Sequence, residues 1–114
     1  MTVFFIDPGY AAYSGDAILV MTPSGRNYLI DGGDRGQNPP WDCGCSRVLP
    51  LLDSLGIDHL DGIVATHPHT DHMGGLIYVL DRIGADVVWD SGLPSSSYVY
   101  ADFLEAVEAC GAVL

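Results

Sequence analysis

The sequence predicts a small α/β domain, and three observations favour this fold class. The chain has 114 residues, of which 48% are hydrophobic and 17% are charged. This composition is typical of a globular domain and too apolar for a disordered chain. Its first apolar runs end at turn residues, as strands of an antiparallel sheet do. Its later part alternates short apolar runs with amphipathic segments, the order that builds a parallel sheet covered by helices.

Three apolar runs near the N-terminus predict β-strands, over residues 3–6, 17–21 and 28–30. Between the second and third runs, Thr22-Pro23-Ser24-Gly25 places proline and glycine where a tight turn requires them. We therefore expect these two strands to form a hairpin. Residues 31–46 are rich in glycine, aspartate and proline and predict a long loop.

Helices and strands are predicted to alternate after this loop. Ser46 is the expected N-cap of a helix over 47–55, which would place Leu51, Leu52 and Leu55 on one face before Gly56 ends it. A strand over 63–65 follows, then a helix over about 72–83 that Gly84 ends, then a strand over 86–89.

The final predicted helix covers about residues 98–109, after a serine-rich loop over 91–97. Its apolar residues recur at three- and four-residue spacing, which predicts a buried face. The residues of this face are Val99, Phe103, Ala106, Val107 and Cys110. Gly111 is expected to end the helix, and Ala112-Val113-Leu114 resembles the start of another strand. We therefore expect residues 1–114 to be the N-terminal part of a single larger domain.

The charge balance excludes some partners. Four Lys and Arg residues against fifteen Asp and Glu residues give a formal charge of −11, so no strong nucleic-acid surface or contact with anionic lipid is expected. No apolar run approaches the roughly 18 residues of a membrane span. The N-terminus lacks the basic region of a signal peptide, so a cytoplasmic location is the default expectation.

Three of the four histidines lie together in Thr66-His67-Pro68-His69-Thr70-Asp71-His72, between a predicted strand and a predicted helix. Ligands of open α/β sheets bind beyond the carboxyl ends of strands. His67 and His69 flank a proline that keeps the chain extended or turned, so both rings can converge on one metal ion. Asp71 and His72 begin the helix, where exposed amides favour negative charge. Imidazole and carboxylate without cysteine suit zinc best, with iron, manganese or nickel as alternatives.

The segment from Thr66 to Gly75 resembles the HxHxDH signature of the metallo-β-lactamase-fold hydrolases. The similarity continues over residues 14–19, 28–33 and 48–61, where the chain resembles the hydrolase domain of ComEC-like competence proteins. It departs from their pattern between Asp7 and Asp16, where it inserts several residues. The resemblance implies an αββα sandwich of the metallo-β-lactamase type, of which this chain supplies the N-terminal half. The missing C-terminal half is expected to pack on it.

The resemblance also implies a role for each residue of the motif. His67 and His69 would bind a first zinc ion, and Asp71 and His72 would bind a second. Asp71 would be the catalytic residue that orients a hydroxide shared by both ions, and Asp31 would brace the histidine loop. No histidine follows His72, so the remaining metal ligands of the family are expected beyond Leu114.

The predicted function is therefore a metal-dependent hydrolase with a dinuclear zinc site. The ComEC-like resemblance suggests a phosphodiester substrate, whereas thioesters and lactams remain open among small molecules. The oxygen-reducing diiron branch of this fold has a motif that resembles HxExDH. It is disfavoured, because this chain has His69 where that motif has glutamate. The alternative function is a noncatalytic metal-binding or interaction module, truncated or degenerate.

Other polar and aromatic residues have simpler interpretations. His59 is expected to be a solvated loop residue and not a metal ligand. The Cys43-Gly44-Cys45 segment has one intervening residue, fewer than the about two to four of zinc knuckles, so no metal site is expected there. Tyr10, Tyr13 and Trp41 fall in predicted loops, where they either line a substrate groove or cover the sheet.

Overall fold

The computed structural model describes residues 1–6, 17–34, 43–68, 70–92 and 97–114, and of residues 70 and 71 it describes the backbone alone. Tyr10, Tyr13 and Trp41 lie outside the described residues. The strands are β1 (Thr2–Phe5), β2 (Ile18–Met21), β3 (Asn27–Ile30), β4 (Leu60–Ala65) and β5 (Ala85–Asp90). A π-helical turn (Gly44–Val48) leads into α1 (Leu49–Ser54), and two longer helices follow, α2 (Thr70–Arg82) and α3 (Tyr98–Cys110).

The five strands form one sheet in the order β1-β2-β3-β4-β5. The first three are antiparallel neighbours, whereas β4 runs parallel to β3 and β5 runs parallel to β4. A tight turn joins the antiparallel strands β2 and β3, whereas helices lie between the parallel strands β3 and β4 and between β4 and β5. The predicted α/β class is therefore confirmed.

The predicted hairpin between β2 and β3 is also confirmed. The Thr22 amide donates to the Arg26 carbonyl oxygen at 2.9 Å, and the Gly25 amide donates to the Thr22 carbonyl oxygen at 3.0 Å. Gly25 has a φ of +84°, which glycine adopts without the steric cost of a side chain. Local turn residues are sufficient to set this part of the fold.

The prediction for the first helix was wrong at its start and for Leu55, whereas Gly56 follows the C-cap with a positive φ, as expected of the residue that ends the helix. Ser46 lies within the π-helical turn and is not an N-cap, because the chain is already helical from Gly44. Val48, the last residue of this turn, is fully buried in the core. Leu55 does not join the buried face: it adopts a non-helical ψ of 0° at the C-cap and is 36% exposed, directly before Gly56 turns the chain.

The two longer helices agree better with their predicted limits. Helix α2 begins at Thr70, two residues before the predicted start. In α3, the Ser97 side chain accepts a hydrogen bond from the Tyr100 amide, and Gly111 ends the helix with a φ of +79°. The predicted buried face of α3 is confirmed except at Cys110, which is half-buried. Beyond α3, Val113 forms a parallel bridge with Val87, as expected for the start of another strand.

The hydrophobic core lies between one face of the sheet and the helices. Full burial of one large apolar side chain in this core stabilises the fold by about 1.5–3 kcal/mol relative to leaving it exposed. The sheet supplies Leu19, Leu29, Ile63 and Val88, which are consecutive partners across four strands, and the helices supply Leu52, Leu76, Val79 and Phe103.

The opposite face of the sheet is also apolar, and the described helices do not cover it. We call this surface the open face, and it consists of Val3, Phe5, Ile18, Val20, Tyr28, Ile30, Gly62, Val64, Val87 and Trp89. Phe5 is 80% exposed and Trp89 is 50% exposed. The rings of Tyr28 and Trp89 lie 6.5 Å apart across Gly62, where a Cβ atom would come within 2.6 Å of the Trp89 ring. Exposed apolar surface of this extent is typical of a face that packs against further protein.

His59 lies at the amino ends of β4 and β5, away from the histidine motif. Its side chain is about half exposed, and its Nε2 lies 2.8 Å from Asp86 Oδ1 while its Nδ1 lies 3.1 Å from the Ile83 carbonyl oxygen. The hydrogen bond that His59 donates to the Asp86 carboxylate raises the pKa of His59, and the Ile83 carbonyl adds to this effect. His59 thus links two strand ends to the end of α2.

Candidate metal centre

The histidine motif lies at the carboxyl ends of the parallel strands. Thr66 and His67 directly follow β4, and Asp31 directly follows the neighbouring strand β3. The Asp31 amide donates to the Val64 carbonyl oxygen at 2.8 Å, which continues the sheet pairing for one more residue. The fold therefore brings Asp31 beside the motif although about 35 residues separate them in sequence.

Asp31 has a buried carboxylate and a strained backbone. Its φ is +59°, the only positive φ of a non-glycine residue in the described part of the chain, and the residue is 2% exposed. Aspartate tolerates this left-handed conformation better than most residues do. Its Oδ1 accepts the Thr66 amide at 2.8 Å, and its Oδ2 accepts the Thr66 hydroxyl and lies 2.9 Å from His72 Nδ1. These contacts compensate the cost of burying the carboxylate.

The hydrogen bonds define the tautomers of two histidines. Because the Asp31 carboxylate only accepts, the Nδ1 of His72 must carry the proton that lies between them. The Thr66 hydroxyl gives its single proton to Asp31, so the His67 Nδ1, 3.0 Å from that hydroxyl oxygen, is also the donor. With Nδ1 as the donor, a neutral ring has its lone pair on Nε2, which is the form in which a histidine binds a metal.

The two rings lie close enough to act together. The ring centroids of His67 and His72 are 4.7 Å apart, with His67 exposed and His72 largely buried. Imidazole rings oriented by a carboxylate and a hydroxyl are a donor set that fits zinc. His67 and His72 would each hold a metal ion through Nε2.

The other two predicted ligands cannot be placed with the same detail. His69 lies outside the described residues, and Asp71 lies in the first turn of α2 with only its backbone described. Among the described side chains, no group of three or more histidine, cysteine or carboxylate residues is arranged to hold a metal ion. The four-residue ligand set therefore stays a prediction.

Two close backbone contacts position α2 and its histidine. The Gly32 amide donates to the His72 carbonyl oxygen at 2.8 Å, and the Gly75 amide donates to the Gly33 carbonyl oxygen at 2.9 Å. A Cβ atom on Gly75 would collide with the Gly32 carbonyl oxygen. The absence of a side chain at Gly75 lets the helix approach the end of β3 and brings His72 to Asp31.

Sequence reasoning assigns no role to Thr66, which the structure places between Asp31 and His67. Its amide and hydroxyl both bind Asp31, while its hydroxyl oxygen contacts the histidine ring. A hydroxyl residue at a strand end, directly before the first histidine, is the feature that would have indicated this bridge.

Comparison with known proteins identifies the family. The model of the metallo-beta-lactamase superfamily matches residues 6–96, and the chain therefore belongs to this superfamily. This confirms the fold class, and members of the superfamily are typically hydrolases that bind metal ions such as zinc. In the described residues, no helix is long and apolar enough to cross a membrane.

Three curated relatives are similar over shorter segments. A hydroxyacylglutathione hydrolase of Dechloromonas aromatica is 32% identical over 67% of this chain and 24% of its own length. Two proteins named Anti-Pycsar protein Apyc1 also match. The one from Bacillus phage BSP38 is 37% identical over 56% of this chain and 21% of its own length. The one from Saccharibacillus brassicae is 44% identical over 31% of this chain and 15% of its own length. The chain thus spans less than a quarter of the length of each relative.

Proposed function

We propose that residues 1–114 carry the first ligands of a dinuclear zinc site that hydrolyses phosphodiester bonds. The observation that carries this proposal is the pairing of His67 and His72, with each Nδ1 proton directed to Thr66 or Asp31. This arrangement supports metal binding because it presents both Nε2 lone pairs from neighbouring rings.

Each residue of the motif has a defined task in this proposal. His67 and His69 hold one ion, and Asp71 and His72 hold the other. Bound zinc supplies Lewis acidity and lowers the pKa of a coordinated water molecule. Asp71 orients the attacking water, and Asp31 keeps the His72 ring in the metal-binding tautomer.

The choice of substrate rests on likeness to other proteins. The ComEC-like sequence pattern and the similarity to the Anti-Pycsar proteins support a phosphodiester. The similarity to hydroxyacylglutathione hydrolase supports an acyl substrate as the second candidate. A direct comparison of a phosphodiester reporter with a thioester reporter would separate these two functions.

We also propose that the open face packs against the second half of an αββα sandwich, supplied by polypeptide outside residues 1–114. The contiguous apolar side chains of that face and the greater length of the relatives support this arrangement. The fluorescence of Trp89 can show whether the open face is covered, because burial shifts indole emission to shorter wavelength. We expect the Trp89 emission, isolated by comparison with Trp89→Phe, to lie at shorter wavelength in a longer polypeptide than in residues 1–114. Equal wavelengths would contradict the arrangement.

Removal of one ligand tests the proposed function. In a protein that contains the complete site, we expect His67→Ala to lose zinc and to lower the hydrolysis of a phosphodiester reporter by at least about 100-fold, because a metal shell loses a donor. Metal analysis and initial rates are the measurements, and the wild-type protein should hold about two equivalents of zinc.

His59→Ala is the matched control, since His59 lies at the opposite edge of the sheet. It should leave zinc content and the rate of hydrolysis unchanged. A wild-type protein that folds in zinc-containing buffer and retains no metal would contradict the proposed function, as would full hydrolysis by His67→Ala.

A further inference from the structure

A second carboxylate at a strand end lies in line with Asp31. Ala65 at the end of β4 is the register partner of Asp90 at the end of β5, while Ile30, directly before Asp31, is the partner of Val64. Asp31, Ala65 and Asp90 therefore follow one another across three parallel strands. Because neighbouring strands lie about 4.8 Å apart, the α-carbons of the two aspartates are separated by about 10 Å. Asp90 thus belongs to the same edge of the sheet as the candidate metal centre.

Asp90 binds the first turn of α3, much as Asp31 binds the first turn of α2. Its Oδ2 accepts the Tyr100 hydroxyl at 3.0 Å, and its Oδ1 accepts the Gly92 amide at 2.7 Å. Tyr100 is the third residue of α3, and His72 is the third residue of α2. The two helices are packed neighbours, and the axes of such helices lie about 8–10 Å apart. Tyr100 and His72 therefore occupy equivalent positions in the first turns of two neighbouring helices.

The phenol of Tyr100 presents hydrogen-bond acceptors at this edge. Its single proton is donated to Asp90, which leaves the lone pairs of Oη to accept. The hydrogen bond to Asp90, with a smaller effect of burial, raises the pKa of Tyr100, so the phenol stays protonated at neutral pH. Both side chains are partly exposed. A hydroxyl or amino group that reaches this position meets acceptors on Tyr100 and on Asp90.

We propose that Asp90 and Tyr100 form a substrate subsite beside the candidate metal centre, which accepts a hydrogen bond from a hydroxyl or amino group flanking the scissile bond. This inference rests on the hydrolase function proposed above. Tyr100 is then a specificity-determining residue that binds and orients the substrate and takes no part in metal binding. A substrate without a hydrogen-bond donor at that position gains nothing from the subsite.

Two phosphodiester probes that differ in this donor test the subsite. Thymidine 5′-(p-nitrophenyl phosphate) carries a sugar hydroxyl, whereas bis(p-nitrophenyl) phosphate carries none. In the zinc-loaded protein, we expect Tyr100→Phe to raise KM for the thymidine ester about tenfold, the effect of one lost hydrogen bond. The kcat, the zinc content and the KM for the second probe should not change. Tyr98→Phe is the matched control, because Tyr98 lies two residues away and is 89% exposed.

Equilibrium binding of thymidine 5′-monophosphate provides a measurement that needs no turnover. A Kd about tenfold higher in Tyr100→Phe than in Tyr98→Phe supports the subsite. Asp90→Asn should also raise the Kd. If that difference is found but neither ester is hydrolysed, the proposed function is wrong, and Asp90 and Tyr100 form a binding site without the hydrolysis.

The opposite result, in which the subsite fails and the hydrolase function holds, can also be recognised. If both esters are hydrolysed and Tyr100→Phe affects them equally, the hydrolase stands and the subsite is wrong. Equal nucleotide binding by the two tyrosine variants, or no binding by the zinc-loaded wild-type protein, also overturns the subsite.

Discussion

Asp31→Ala is expected to lower the free energy of unfolding by about 4 kcal/mol or more and to abolish zinc binding. The substitution removes the acceptor of the Thr66 amide, of the Thr66 hydroxyl and of His72 Nδ1, and each buried donor left unpaired costs about 1–3 kcal/mol. Alanine at a φ of +59° adds about 1–2 kcal/mol of backbone strain. Urea unfolding with and without a chelator, together with zinc titration, measures both effects.

Asp31→Asn distinguishes the effect of losing the carboxylate from the effect of backbone strain. Asparagine tolerates the left-handed conformation and keeps one acceptor oxygen, so the loss of stability should be only about 1–2 kcal/mol. Zinc affinity should still fall about 10- to 100-fold, because His72 loses the group that fixes its ring. Asp53→Asn is the matched control, since Asp53 is exposed on α1. Wild-type zinc affinity in Asp31→Asn would mean that Asp31 does not prepare His72 for the metal.

Elements set by neighbouring residues could be predicted from the sequence. The hairpin needs only the turn residues from Thr22 to Gly25, and Gly56, Gly84 and Gly111 end helical segments because each adopts a positive φ. The start of the first helix could not be predicted in this way. Burial of Cys43 and Val48 draws the chain into a helix before Ser46, and that burial depends on elements distant in sequence.

In the candidate site too, features set by neighbouring residues could be predicted, whereas contacts between distant residues could not. The histidine motif is visible because its chemistry is concentrated in seven consecutive residues, 66–72. The contact between Asp31 and His72 joins residues 41 positions apart, and only the family resemblance indicated a bracing role for Asp31. The pair of Asp90 and Tyr100 matches no motif, because it depends on β5 and α3 ending and beginning at one edge of the sheet.

Gly75→Ala is expected to destabilise the protein by about 3 kcal/mol or more, although alanine is the better helix former. Intrinsic propensity alone would favour alanine within α2 by about 1 kcal/mol. The added Cβ atom, however, would collide with the Gly32 carbonyl oxygen and lie 2.9 Å from the Gly44 amide nitrogen. Both obstacles are backbone atoms, so no side-chain rotation relieves the overlap and the helix must move.

Movement of α2 would also change the metal centre. The His72 carbonyl accepts the Gly32 amide one turn before Gly75, so a displaced helix separates His72 from Asp31 and zinc affinity should fall with stability. Gly56→Ala is the matched control: a Cβ atom there meets nothing within 4 Å, and its φ of +72° alone should cost about 1 kcal/mol. Urea unfolding and zinc titration compare the two variants. If Gly75→Ala were as stable as the wild type, the contact of α2 with Gly32 would not be what positions His72.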